Sequence, residues 1–170
     1  LGCGAATPTS RHKPTAQVVN VHDKYFLIDC GEGTQMQLRK FKVKMQRIQA
    51  IFISHLHGDH FFGLPGLLST MHLLGRDKRL DIFGPPGLEQ LIKNMLEAGG
   101  HPIQFNLVFH KLVPGPSTLI FEDRLIQIEA FALKHRIPTL GYKISEKQKL
   151  IFQNHLDLLM ALWLLSRIIS

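Results

Sequence analysis

Ala50-Ile51-Phe52-Ile53-Ser54-His55-Leu56-His57-Gly58-Asp59-His60 is the stretch from which the rest of the chain can be read. Its first four residues are apolar, β-branched or aromatic, and they have the length of a buried strand. That strand runs straight into four side chains able to hold a metal. His55 and His57 stand two apart, so a backbone that stays extended past Ser54 projects both imidazoles to one side, where they can grip one ion. Gly58 then allows a sharp turn that presents Asp59 and His60 to a second ion beside the first. In two-metal sites the ions lie roughly 3.5–4 Å apart and clamp the attacking and leaving oxygens of a displacement. Nitrogen and carboxylate donors without thiolate favour zinc, with manganese or iron as alternatives. The blander reading, surface histidines in a chain that has ten, leaves the spacing behind a buried strand unexplained.

Upstream, Ala16 to Val21 and Tyr25 to Asp29 read as strands joined by the polar turn His22-Asp23-Lys24. Asp29 ends the second strand, where its carboxylate can accept from backbone amides or from ligand histidines, or cap a helix. Gln35 to Phe41 reads as that helix, with Thr34 a competent cap. Arg39, Lys40, Lys42, Lys44 and Arg47 form the densest basic run, read as a solvated helix end in preference to an RNA contact. Near the N-terminus, Leu1-Gly2-Cys3-Gly4 resembles a dinucleotide-binding turn, but Pro8 and Pro14 exclude the helix such a site needs. Thr7 to Thr15 is instead a long loop carrying Arg11, His12 and Lys13.

Downstream, Phe61 to Leu74 predicts an apolar helix broken near its start by Pro65, with His72 structural rather than a ligand. Leu80 to Phe83 is a short strand and Leu88 to Ala98 an amphipathic helix. Gly99-Gly100-His101-Pro102 breaks that pattern. Strands follow at Ile103 to Val113, Thr118 to Glu122, Leu125 to Leu133 and Leu140 to Ile144, and His135 falls between the last two. Ser145 to Leu150 is polar, and Ile151 to Ser170 is an apolar helical pattern. Asn154, His155, Asp157 and Arg167 interrupt that pattern too often for a membrane span.

The chain has 170 residues, 45% hydrophobic and 19% charged, which suits one soluble domain with a real core. A formal charge of +7 favours an anionic partner, nucleic acid first among them. The two cysteines, Cys3 and Cys30, form no disulfide framework; both are expected to be buried thiols in a reducing cytoplasm. The N-terminus lacks the charged and apolar regions of a signal peptide.

The His-x-His-x-Asp-His pattern, together with Leu27-Ile28-Asp29-Cys30-Gly31-Glu32-Gly33-Thr34-Gln35 and Gly63-Leu64-Pro65-Gly66-Leu67-Leu68, resembles the metallo-β-lactamase superfamily, and within it the ribonuclease Z family of tRNA 3′-processing endonucleases. The likeness covers about residues 1–145. It implies an α+β fold, the αββα sandwich of two face-to-face sheets with helices outside. This chain would supply roughly the first half of it, with residues 146–170 a polar linker and apolar helical tail.

The resemblance further implies two zinc ions, His135 as the third imidazole of the first, and Asp29 bracing the metal loop. It makes Asp59 both a ligand and the group that orients the attacking water, and it places Arg11, His12 and Lys13 beside the active site as substrate contacts. The implied substrate is precursor tRNA. The family's later Ser-Gly-Asp segment, its final histidine and its tRNA-gripping arm have no counterpart in these 170 residues, and His155 and Asp157 match neither missing ligand. The first site is therefore expected to be complete and the second to hold only Asp59 and His60. A half-sandwich needs cover for its second sheet, which predicts a homodimer, an unseen remainder of the chain, or poor stability. Rival expectations are a hydrolase of a small phosphodiester, thioester or lactam on the same fold, and a non-catalytic fragment or binding module.

Overall fold

The computed structural model describes residues 1–4, 7, 9, 11–100 and 103–147. Strands β1 (Gln17–Val21) and β2 (Lys24–Ile28) form the expected hairpin. Both turn residues, His22 and Asp23, take left-handed φ values of 49° and 63°, as a two-residue turn matched to strand twist requires. Helix α1 (Thr34–Lys40) follows. Thr34 is not its cap: Gly33 holds the cap position at φ 78°, and Thr34 lies buried in the first turn with its hydroxyl donating to the Gly31 carbonyl at 2.6 Å. A left-handed cap favours glycine, which N-cap preference alone does not separate from threonine.

A short 3₁₀ turn (Met45–Arg47) leads into β3 (Ile48–Phe52). The strand starts earlier and ends earlier than expected, although the Ile53 amide still donates to the Phe83 carbonyl at 2.8 Å. The apolar segment expected to be one helix divides into α2 (Gly58–Phe61) and α3 (Leu64–Leu73). Pro65 sits in the first turn of α3, where its missing N–H costs nothing. Gly63 marks the break, packed so closely that a Cβ there would lie 2.0 Å from the Gly31 carbonyl oxygen. Then come β4 (Leu80–Gly84), α4 (Leu88–Ala98), β5 (Leu107–Lys111), β6 (Thr118–Glu122), β7 (Ile126–Leu133) and β8 (Thr139–Glu146). β5 is shorter than the expected Ile103–Val113. His101 lies outside the described residues, as does the apolar segment 151–170.

The sheets have the orders β1-β2-β3-β4-β5 and β6-β7-β8. β3 lies at the centre of the first, parallel to β2 and β4, and so is buried on both faces; this is why it reads as an unbroken apolar run. Side-chain alternation then sorts the core into two layers. Leu27, Ile51, Ile53 and Ile82 pack against helix residues such as Leu38, Leu67 and Leu88. Phe26, Ala50, Phe52 and Phe83 face Ile126 and Ile128 of the second sheet. Aromatic contacts dominate that inner layer: Phe52 stacks on Phe83 with centroids 5.0 Å apart and lies 5.2 Å from Tyr142.

The described residues thus provide three layers, helices on a five-stranded sheet on a three-stranded sheet. Arg76 braces the edge remote from the ligand loop. It is buried, and its guanidinium donates to the carbonyls of Gln46, Ile48, Lys78 and Arg79 at 2.7–3.2 Å.

Candidate metal centre

Parallel β2 and β3 end side by side, so the segments after them, Asp29 and Ser54–His60, meet at one sheet edge. The Asp29 amide donates to the Phe52 carbonyl at 2.8 Å, and its backbone takes φ 56°, a left-handed value that Asp tolerates better than most residues. This turn aims the carboxylate into the ligand loop. Asp29 Oδ1 accepts from the Ser54 amide at 2.8 Å, and Oδ2 accepts from the Ser54 hydroxyl at 3.1 Å and from His60 Nδ1 at 2.7 Å.

With its proton on Asp29, the Ser54 oxygen accepts from His55 Nδ1 at 2.9 Å. His55 and His60 therefore both carry hydrogen on Nδ1 and turn the Nε2 lone pair toward the open side. Fixing the tautomer from the far ring nitrogen is how metal-ligating histidines are oriented.

His135 arrives from the turn between β7 and β8. Two bonds pin that hairpin to the ligand loop: the Leu140 amide donates to the Ser54 carbonyl at 2.9 Å, and the Tyr142 hydroxyl to the Ile53 carbonyl at 2.8 Å. Burial pushes the Tyr142 hydroxyl well above the usual phenol range, with the Asp29 charge adding to it, so it stays a donor. His55, His57 and His135 consequently offer nitrogens that all lie within 4.8 Å of one another.

His55 is buried, while His57 and His135 are exposed and open to solution. His55 Nε2 and His57 Nδ1 lie 3.0 Å apart, a spacing that shares one proton or one cation. Burial pulls the His55 pKa from 6.5 down to about 4, the imidazoles of His60, His57 and His135 push the same way, and Asp29 opposes them. A neutral imidazole near pH 7 is the ligand form. The donor set thus fits a divalent cation that prefers nitrogen, with the fourth position open.

Asp59 and His60 lie beside this group on α2, with His60 Nε2 3.4 Å from Asp59 Oδ2. Burial works against His60, but its hydrogen bond to Asp29 and the charges of Asp29 and Asp59 prevail and raise its pKa. Among the described residues these two donors stand without a third at the second position. The cleft above has a volume of about 970 Å³ and is lined by His55, His57, Asp59, His60 and His135, with Glu32 and Phe62 at its walls.

Arg11, His12 and Lys13 are exposed and do not line that cleft; Lys13 lines a neighbouring hollow. His72 is half-buried and accepts from the Gln104 amide, away from the site. Cys30 is buried, but Cys3 is exposed and borders the cleft, contrary to the expectation of two buried thiols. Its segment makes only isolated bridges, Gly2 to Ala16 and Gly4 to Pro14, so it is not covered as a full strand would be. Sequence reading passed over Ser54 and Phe62. Ser54 could have been found from its place between an apolar strand and the first ligand, whereas Phe62, 59% exposed at the cleft, looks like a core residue in sequence.

A family model described as anti-Pycsar protein Apyc1 matches residues 1–159. Ribonuclease Z of Bacteroides fragilis is 50% identical over 149 residues, 88% of this chain and 49% of that protein. Ribonuclease Z of Phocaeicola vulgatus is 52% identical over 148 residues, 87% of this chain and 48% of that one. The chain spans about half the length of the curated relatives it matches. Among solved structures, human tRNase Z, short form, is 42% identical with a TM-score of 0.80, over 86% of this chain and 62% of that one. The metallo-β-lactamase fold protein YhfI of Bacillus subtilis shares the fold at 17% identity and a TM-score of 0.67, over 85% of this chain and 55% of that one. With its layered fold and histidine-lined sheet edge, the chain belongs to the family described as anti-Pycsar protein Apyc1, carries the metallo-β-lactamase fold, and resembles ribonuclease Z over most of its length.

Proposed function

We propose that this chain is the metal-bearing half of a zinc-dependent endoribonuclease that removes the 3′ trailer from precursor tRNA. The observation that carries the reading is the cluster of His55, His57 and His135 at an open cleft, its imidazoles oriented by Ser54 and Asp29. The ribonuclease Z relatives, about half identical over this stretch, supply the substrate.

His55, His57 and His135 would hold the first ion, and Asp59 and His60 would contribute to a second. When bound, zinc supplies Lewis-acid activation of water and neutralises charge on the scissile phosphodiester. Asp29 keeps His60 and, through Ser54, His55 in the tautomer that leaves Nε2 free. The Asp59 carboxylate, facing the cleft, orients the attacking water and accepts its proton. Displacement at the phosphorus leaves a 3′-hydroxyl on the tRNA and a 5′-phosphate on the trailer.

A homodimer would cover the second sheet, where Leu119 and Leu133 are each 49% exposed; sedimentation of the purified chain tests this. A cytoplasmic setting is consistent with two free thiols and with no helix, among the described residues, long and apolar enough to cross a membrane. The decisive assay pairs elemental analysis with cleavage. Zinc bound in stoichiometric amount and a trailer released from precursor tRNA are expected. Rapid turnover of a chromogenic small diester with no tRNA cleavage would transfer the site to a small-molecule hydrolase.

A further inference from the structure

We propose that a second hollow, opening beside the metal cleft between the N-terminal loop and α1, seats the sugar-phosphate backbone of an RNA strand as it leaves the cleft, with Lys13 and Lys40 as its phosphate contacts. This inference rests on the reading of the chain as part of an RNA-cleaving enzyme. The hollow has a volume of about 480 Å³ and shares Pro14 and Glu32 with the cleft, so the two adjoin at that sill. Lys13 enters it from the loop and Lys40 from the last turn of α1, with Met36 and Gln37 in the wall between them.

Ion pairing leaves the lysines of this hollow, like Arg11, Lys78, Lys111, Arg124, Lys134 and Arg136 elsewhere among the described residues, without a carboxylate partner. Lys24, Arg47, Arg79, Lys93, Lys143 and Lys147 each pair with a carboxylate. Among the described residues Lys13 and Lys40 have no such partner, nor do Arg39, Lys42 and Lys44, which continue the basic end of α1. Lys40 keeps a cation-π contact, its Nζ 5.7 Å from the Phe41 ring centroid, which a phosphate need not displace. On the other rim Lys134 and Arg136 flank His135, exposed and equally unpaired.

Unpaired cations thus stand in the hollow beside the cleft and on either side of His135. A polyanion that neutralises them breaks no existing ion pair and releases its own counterions. Glu32 on the sill opposes a phosphate there, so the lysines beyond it take the charge. Lysines reading phosphates position a strand without reading its sequence. A trailer of any sequence would fit. The basic end of α1, which in sequence reads as a merely solvated face, becomes a wall of the substrate path.

The test measures anisotropy of a labelled single-stranded RNA oligonucleotide of mixed sequence on the full chain across a salt series. The forms compared are wild type, K13Q/K40Q, and K93Q on α4 as a control. For the double variant the slope of log K against log salt should shrink by about 1.4, the contribution of two phosphate contacts on a single strand. K93Q should leave the slope unchanged, and thermal unfolding should show all three proteins folded. An unaltered slope in the double variant, an equal loss in K93Q, or no RNA binding by wild type would each overturn the subsite. Precursor tRNA cleavage is scored separately. Slope loss without cleavage keeps the subsite and removes the enzyme reading, and cleavage with an unaltered slope does the reverse.

Discussion

Asp29 accepts from the Ser54 amide, the Ser54 hydroxyl and His60 Nδ1, which explains why a non-glycine residue holds φ 56° at this point. Replacing it with alanine removes the common acceptor, and the orientation of both His55 and His60 goes with it. Asp29→Ala should weaken zinc binding roughly 10–100-fold, as loss of a ligand-orienting partner does, measured by competition with a chromogenic chelator. At the thiols the expectation is a contrast. Cys30 is pushed up to about 12 by burial; the Asp29 charge adds to the rise and a hydrogen bond with Thr34 opposes it. The unfolded thiol ionises near 9.0 while the folded one does not, so stability should fall as pH rises from 9 toward 12. Urea midpoints across that range check the sign, with Cys30→Ala flattening the dependence. A thiol reagent near pH 8 should modify the exposed Cys3 at once and Cys30 only on unfolding. His55, His57, Asp59 and His60 are legible as candidate ligands because their spacing is local. Ser54 stands just as locally before the first of them, but its role is not local, since it depends on Asp29 reaching it from another strand.

Strand-then-ligand order is an element-scale property, and the α2–α3 break shows how tightly it is built. With a Cβ at Gly63 only 2.0 Å from the Gly31 carbonyl oxygen, Gly63→Ala forces two backbones apart. It should destabilise the fold by about 1–3 kcal/mol, as overpacking does, read from the urea midpoint. The Arg76 brace gives a second expectation. Arg76→Ala orphans the carbonyls of Gln46, Ile48, Lys78 and Arg79, which begin or precede β3 and β4. Its cost should be about 1–3 kcal/mol, because the buried Ile48 acceptor left unpaired loses its full desolvation while water can reach the others. Hairpins and helices with regular periodicity, such as β1–β2 and α4, were readable from sequence. The division of Phe61–Leu74 and the shortness of β5 were not, because the partner that ends each element is remote in sequence.

At the scale of the molecule, three described layers and one group of three histidines able to hold a metal, among the described residues, belong to a chain spanning about half the length of its relatives. Metal and fold should still be coupled. Zinc at 100 times its dissociation constant should stabilise the chain by about 2.7 kcal/mol, visible as a rise in Tm that a chelator reverses and that His135→Ala suppresses. The sequence by itself determined the buried strand, the loop of four candidate ligands after it, the hairpins and the superfamily resemblance, because these rest on short-range periodicity and fixed spacing. Only the tertiary structure decided that the β7–β8 turn brings His135 to His55 and His57, that Ser54 joins Asp29 to both oriented imidazoles, that Cys3 is exposed, and that Lys40 borders a hollow adjoining the cleft. Each of these depends on sheet register and on bonds such as Leu140 to Ser54, which join residues far apart in the chain and leave no periodic trace in it.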